Sequence, residues 1–308
     1  MPEAHAFSPA GISSFFEIRD RRPDGQPFKN PAEAGARGGG LVISRGISTS
    51  VNIRPAKKSR ITVRINGSPA PHATTTITTI SKLFQLAREE YSASVEHRVQ
   101  VPIGAGYGTS AAGALSAALA FSEAADLGMS MNQLGTVAHL AEISNRTGLG
   151  TVGALLTGGF VLTRKSGGPG IAVIDRLRVS PKIKVFSACV GPISTRRVLH
   201  SAGLRKKVNL LGRSTLRSIL RDPRSRNFMR ASQAFAFGLG LMSSQTAKLI
   251  ELMESAGAIG ATQNMLGQAV HGIAEEDVAD AIAELVKRRF PRVKVFACQL
   301  DLAGARLS

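Results

Sequence analysis

The stretch from Pro102 to Leu115, P-I-G-A-G-Y-G-T-S-A-A-G-A-L, concentrates residues suited to gripping a phosphate. Gly104, Gly106 and Gly108 remove the Cβ from alternate positions, so the main chain can take unusual dihedrals and touch a ligand directly. Thr109 and Ser110 follow where a helix N-cap belongs, ahead of a small-residue run that reads as helix to about Leu127. Unpartnered N–H groups and the positive end of the helix dipole attract anions there. A strand-like run, Ser94 to Val101, leads in. The chemistry implied is phosphate binding.

Two familiar glycine motifs do not fit. A Walker A loop needs Lys immediately before its Ser/Thr, and Gly108 stands there. In G-x-G-x-x-G the third glycine would come one residue later. The acid expected about twenty residues on should close a second strand. Asp126 has that spacing but ends a helical run.

Pro102, Gly106, Gly108, Thr109, Ser110, Ala111 and Ala112 match P-x-x-x-G-[LFY]-G-[ST]-S-A-A, so the stretch resembles the second motif of the GHMP kinases. That resemblance implies ATP and Mg²⁺ as cofactors. Pro102, Gly104, Gly106, Gly108, Thr109, Ser110, Ala111 and Ala112 would then surround the ATP phosphates. It also implies a metal-ligand pair, Ser110 with Glu142, the latter near the end of a helix in A-H-L-A-E. The pair makes physical sense, because Mg²⁺ is hard, takes oxygen ligands and bridges the β- and γ-phosphates. His139, three residues before Glu142, is either its partner near the substrate or a satisfied core histidine.

The chain departs from the family pattern twice. In the first motif, S-P-A-G-I at 8–12, Ala10 replaces a glycine and Gly11 replaces a basic residue; Ser13, Ser14 and Glu17 remain nearby as polar groups. Thr151 stands where several members hold an Asp that orients the acceptor hydroxyl, and residues 143–174 contain no Asp or Glu. Thr151 is therefore the candidate contact to the acceptor hydroxyl, or the chain is catalytically altered.

One branch is resembled over nearly the whole chain, the archaeal pantoate kinases. The blocks are S-P-x-x-I-x-x-F-F-E-I at 8–18, A-R-G-G-G at 36–40, the cradle, A-H-L-A-E and T-G-L-G at 138–150, G-P-I-S-T-R at 191–196 and Q-N-M-L-G at 263–267. This implies a two-domain α/β (α+β) GHMP kinase fold. Residues 1–178 would form a ribosomal-protein-like nucleotide-binding domain and 179–308 a ferredoxin-like one. The implied reaction is ATP-dependent phosphorylation of the 4-hydroxyl of (R)-pantoate. Arg37, in the glycine-flanked run, is the candidate for the substrate carboxylate because a planar fork suits it.

These residues need scaffolding, which the hydrophobic pattern supplies. Strand patterns occur at the N-terminus to Phe7, Leu41–Ser44, Ser48–Arg54, Arg60–Asn66 and 95–101, with a helix from about Ile77 to Tyr91. Residues 20–40, ending in A-R-G-G-G, read as a loop. Beyond the cradle helix, a second helix starts at Ser130. Strands follow at Phe160–Thr163, Ile171–Asp175 and Ile183–Val190, and helices at Thr195–His200, Leu204–Leu220, Arg226–Leu241 and Gln245–Ser255. The turn Gly257–Gly260 takes the place of the third family motif, which closes over the phosphates. A helix at Glu275–Arg289 and a strand at Val293–Leu302 complete the chain.

With 308 residues, 43% hydrophobic and 19% charged, the chain is long enough for one large or two medium cores. Cys189 and Cys298 lie in apolar runs, where reduced thiols are expected. The opening M-P-E-A-H has neither a basic n-region nor an apolar core, and no run is long enough to span a bilayer. A cytoplasmic protein without membrane partners is expected. Its partners are ATP and pantoate, with a homodimer as the assembly to test.

The net charge of +18 is concentrated. Residues 193–230 carry eleven Lys and Arg against the single acid Asp222, a net of +10. A nucleic-acid surface is the functional reading of such a segment, and solvated arginine faces are the plain one. No nucleic-acid motif accompanies it, and Phe228 is its only aromatic. The alternatives to pantoate kinase are therefore another small-molecule GHMP kinase (homoserine, mevalonate-pathway or sugar) and a non-catalytic basic nucleic-acid binder.

Overall fold

The computed structural model describes residues 2–87, 89–191, 202–265 and 267–308. Two long strands, β1 (Glu3–Arg19) and β2 (Gly35–Pro55), pair antiparallel from Glu3 opposite Asn52 to Arg19 opposite Gly35. The register shifts between Pro9 and Ala10 and between Ser13 and Phe15. Such bulges bend and twist a ribbon. The 47–55 half of β2 pairs with β5 (Tyr91–Val99), and its 38–41 half pairs with β6 (Phe160–Lys165).

The remaining strands of this eight-stranded sheet are β3 (Arg60–Ile65), β4 (Ser68–Pro69), β7 (Val173–Leu177) and β12 (Arg306–Leu307). β3 lies parallel to β5 through a crossover containing α1 (Thr74–Ala87). β12 returns to pair with β1. On one face lie α1, α2 (Thr109–Ala124) and α3 (Met131–Asn145), followed by the short α4 (Thr151–Thr157). Every residue of α2 from Ala111 to Ser122 is buried. A helix apolar on all sides belongs inside, and its alanines let sheet and flanking helices close in.

A second, four-stranded antiparallel sheet has the order β11 (Lys294–Gln299), β8 (Ile183–Gly191), β10 (Gln268–Glu275), β9 (Gly260–Gln263). Behind it pack α7 (Ser244–Ser255) and α8 (Glu276–Arg289), through Leu249, Ile250, Met253, Ile282 and Val286. Between the two sheets lie α5 (Ala202–Arg221) and α6 (Ser225–Leu239). One apolar cluster joins the two sheets there, with the Phe228 ring 4.5 Å from Phe160 and 5.7 Å from Phe15, both edge-on. No helix among the described residues is long and apolar enough to cross a membrane.

Several local expectations change. The A-R-G-G-G run is not loop but strand, the start of β2, and the two strands expected at 41–54 are one. Glycine is there for close packing: a Cβ at Gly39 would lie 2.7 Å from the Phe228 ring and 2.8 Å from Phe15 and Leu162. The helix expected at Thr195–His200 lies outside the described residues. Both cysteines are free.

His97 ties β5 into the layer above. Ser116 donates its hydroxyl to the Ala112 carbonyl, so Thr49 donates to Ser116 and must accept from His97 Nδ1 at 2.7 Å. Thr76 then donates to Nε2 at 3.0 Å. The network needs a neutral ring, and burial holds the imidazole down at about 4. In the unfolded chain it would titrate near 6.5. As pH falls the unfolded state therefore protonates first, and stability is lost from about pH 6.5 until about pH 4. The slope contributed is up to about 1.4 kcal/mol per pH unit. His97→Gln should flatten the pH dependence of urea unfolding between pH 6.5 and 4.5; an unchanged slope would remove His97 as its source. Gly39→Ala should cost about 1–3 kcal/mol by overpacking in the same assay.

Candidate active site

After β5, Gln100 fastens the chain to Gly46, its amide on the Gly46 carbonyl and its side-chain oxygen taking the Gly46 amide at 2.9 Å. The loop that follows turns through Gly104, Gly106 and Gly108 at φ of +76°, +83° and +61°. That backbone strains any side-chain-bearing residue. Gly108, not Thr109 or Ser110, is the N-cap of α2, and no side chain caps it. Thr109 and Ser110 are the first helical residues instead. The first amides of α2 are thus left without a side-chain acceptor and suit an anion. Ala111 and Ala112 are buried behind them, and Pro102 leads in from the strand end.

Freed from capping, the Ser110 hydroxyl lies near the Glu142 carboxylate and favours its charged form. Glu142 sits near the C-terminus of α3, a helix started by a full capping box of Ser130 and Gln133. It is 2% exposed. Thr147 donates to its Oε1 at 2.7 Å, and Thr75 holds Thr147 at 3.0 Å. Loss of solvation pushes this carboxyl above its ordinary range, against the opposing pull of Ser110 and Thr147. No lysine, arginine or histidine pairs with it among the described residues. Gly148 is part of the arrangement, because a Cβ there would collide with Glu142 Oε2.

A buried polar network clamps the cradle to the second sheet. Ser187 of β8 donates to the Val270 carbonyl at 2.6 Å, so the Tyr107 hydroxyl donates to Ser187 at 2.8 Å. Asn264 shares in it, donating to the Ala105 carbonyl at 3.4 Å and accepting from His271 Nδ1 at 2.8 Å. His271 Nε2 therefore accepts from Ser14 of β1, also at 2.8 Å. Burial holds His271 neutral, at about 3. The backbone beside this network is equally close, since a Cβ at Gly267 would strike the Ala105 carbonyl. The residues that reach the cradle are thus Asn264, Met265 and Gly267, not Gly257–Gly260, whose Gly260 packs on Met229. The sequence hinted at this only through a tyrosine in the cradle and the Q-N-M-L-G block.

The cradle opens into a cavity of about 210 Å³. On its wall lie Gly11, Ser13, Arg37, Thr109, Ser110, Thr151 and Met265. Gly11 donates its amide to the Tyr107 carbonyl at 3.2 Å, placing β1 beside the loop. The methyl of Thr151 fills the space beside Gly11 and Gly108, 3.1 and 2.8 Å from where their Cβ atoms would be. Ser13 accepts the Met265 amide through its carbonyl. Arg37 reaches the cavity, but its Nε and Nη2 both hold Glu17 Oε2. His139 is not on the wall. Its Nε2 meets the Ala34 carbonyl at 2.9 Å, and burial holds the ring below its ordinary range.

A glycine-turned loop at an uncapped helix start, a buried carboxylate close to a serine, and a small cavity beside them narrow the family. The GHMP kinases N terminal domain model matches residues 75–159. A pantoate kinase of Thermococcus kodakarensis is 30% identical over 284 residues, covering 91% of each chain. The chain belongs to the pantoate kinase family of GHMP kinases. A pantoate kinase of Methanospirillum hungatei is 28% identical over 292 residues, 94% of this chain and 91% of that one. Among solved structures, a phosphotransferase related to the CoA biosynthesis pathway superposes with a TM-score of 0.88 at 26% identity, covering 99% and 98% of the chains. A homoserine kinase from Cytophaga hutchinsonii superposes at 0.76 with 16% identity over 100% and 98%, a likeness of fold.

For this pantoate kinase family member, Gly148→Ala should displace the Glu142 carboxylate and lower turnover at least about tenfold, with a smaller change in melting temperature. Equal turnover in steady-state assays would show that the carboxylate's position does not matter.

Proposed function

We propose that the chain transfers the γ-phosphoryl group of ATP to the 4-hydroxyl of (R)-pantoate. The observation that carries the reading is the Ser110–Glu142 pair at the mouth of an uncapped α2, in a chain of this family. The donor set fits Mg²⁺, being all oxygen and holding a buried carboxylate with no cationic partner among the described residues. Ser110 and Glu142 would hold Mg²⁺, which would supply neutralisation of phosphate charge during transfer.

The protein's own part is positioning. The amides of the cradle and the first turn of α2 hold the phosphates in line with the acceptor. Ser13 and Thr151 offer hydroxyls on the cavity wall, and Arg37 offers positive charge toward the acceptor carboxylate through the edge that Glu17 leaves open. His139 supports the wall indirectly by tying α3 to the segment before β2. No carboxylate lines the cavity among the described residues. A loose phosphoryl-transfer transition state demands little activation of its nucleophile, so alignment and preorganised charge can carry the rate.

The test is ADP release from Mg-ATP with (R)-pantoate, with homoserine and mevalonate as parallel acceptors. Pantoate-dependent turnover is expected. Turnover with another acceptor alone would overturn the substrate, and silence with every acceptor while ATP binds would overturn catalysis. Glu142→Gln should cut turnover by about 10²–10³ and shrink the thermal shift produced by Mg-ATP. The metal-free protein should melt no lower than wild type, because a desolvated charge has been removed. A full Mg-ATP shift would take Glu142 out of the metal site.

A further inference from the structure

On the far side of Arg37 from the main cavity lies a second one, of about 260 Å³, walled by Arg19, Arg37, Arg213, Leu216, Arg217 and Leu220. Three of its arginines share one partner behind the wall, the buried carboxylate of Glu17. Three guanidiniums converge on it: Arg37 on Oε2, Arg19 on Oε1 at 2.9 Å, and Arg213 on Oε1 at 3.4 Å. Those contacts fill the carboxylate's acceptor sites but use only part of the donors, since each guanidinium carries a fork of N–H groups. Arg217 has no hydrogen-bond or ion-pair partner among the described residues. Four cations against one acid leave the cavity with a net charge of +3.

The surplus continues along α5. Arg213, Arg217 and Arg221 recur at four-residue spacing on one helix face, an arrangement of like charges that weakens a helix. Arg217 and Arg221 also wall an adjoining hollow of about 420 Å³ with Arg230. The one acid there, Asp222, is gripped by Arg224 at 2.6 and 2.8 Å. Donors that outnumber acceptors in a concave, leucine-backed cavity fit an oxyanion of small size. They fit a nucleic-acid strand poorly, because Phe228 is sealed in the core and offers no base a stacking face.

We infer that this cavity is a second anion site, which takes a multivalent phosphate-bearing small molecule on Arg19, Arg213 and Arg217. Arg37 walls both cavities, so an anion held here competes for the guanidinium that faces the acceptor. Occupancy should therefore change KM for the acceptor more than kcat.

Calorimetric titration of pyrophosphate into the full-length, magnesium-free protein tests this. Wild type should bind at two places, the cradle and this cavity. The Arg213→Ala/Arg217→Ala variant should bind at one, and Arg217→Ala alone should weaken the second site at least about tenfold. Both substitutions lie on a partly exposed helix face and should leave basal turnover within about twofold. A parallel titration with inorganic phosphate separates a site for a lone phosphate from one that needs two phosphoryl groups. One site in both proteins would overturn the inference. So would displacement of the Arg217-dependent pyrophosphate by (R)-pantoate, which would make the cavity part of the acceptor site. Arg217-dependent binding of a single-stranded oligonucleotide, with pyrophosphate bound only at the cradle, would replace it with the nucleic-acid reading.

Discussion

A carboxylate sealed from water, with no cationic side chain beside it among the described residues, is the constraint around which the N-terminal half is arranged. Glu142 cannot remain ionised at low cost unless hydroxyl donors and a bound cation replace its lost solvation. The neighbouring residue types follow from that need. Thr147 donates to it, Ser110 lies near enough to favour its charged form, Thr75 orients Thr147, and Gly148 leaves room for Oε2. The cap of α2 follows too. If Ser110 satisfied the helix's own amides, its hydroxyl would be lost to Glu142 and those amides to a phosphate. Gly108 in the left-handed region starts the helix without a side-chain acceptor, so one choice of backbone leaves both the first amides and the Ser110 hydroxyl unused by the cap.

Placement of the cradle depends in turn on the second sheet. Tyr107 reaches past the loop to Ser187, and Asn264 bonds Ala105 on one side and His271 on the other. Ser14 on β1 closes the chain of bonds. Every hydrogen in this network has one consistent assignment, with His271 neutral. A satisfied buried network of this kind defines a single geometry, whereas a partly satisfied one would be costly. The phosphate loop, the first strand and the closing turn are therefore held in one register by the same few groups, and domain packing becomes site geometry.

Much of this was legible before the fold was known, and the rest was hidden for identifiable reasons. The glycine spacing and the small-residue helix announced the cradle because both are local. Glu142 stood out because a carboxylate in an alanine-rich helix has no local use. Three features were misplaced. The A-R-G-G-G run looks like a loop by composition, yet its glycines answer to Phe15, Phe228 and Leu162, residues distant in sequence. The cap position fell one residue off, because Thr and Ser are the better caps in isolation and the tertiary partner Glu142 outweighs that preference. The glycines at 257–260 drew attention as a turn, while the residues that touch the cradle, Asn264, Met265 and Gly267, owe their place to β9–β10 pairing. Arg37 and Glu17 were each visible as polar residues near glycines. Their direct opposition across β1 and β2 needed the register.

The two departures from the family pattern are one packing unit. Gly11 and Thr151 are far apart in sequence, but a Cβ on Gly11 would lie 3.1 Å from the Thr151 methyl and 2.9 Å from Leu155. A long basic side chain at position 11 would therefore meet α4 before reaching the phosphates, unless residue 151 changed with it. The same methyl sits against Gly108, so it also supports the loop whose amides face the phosphates. Apolar contact between Gly11, Gly108, Thr151 and Leu155 therefore fixes β1, the glycine loop and α4 against one another.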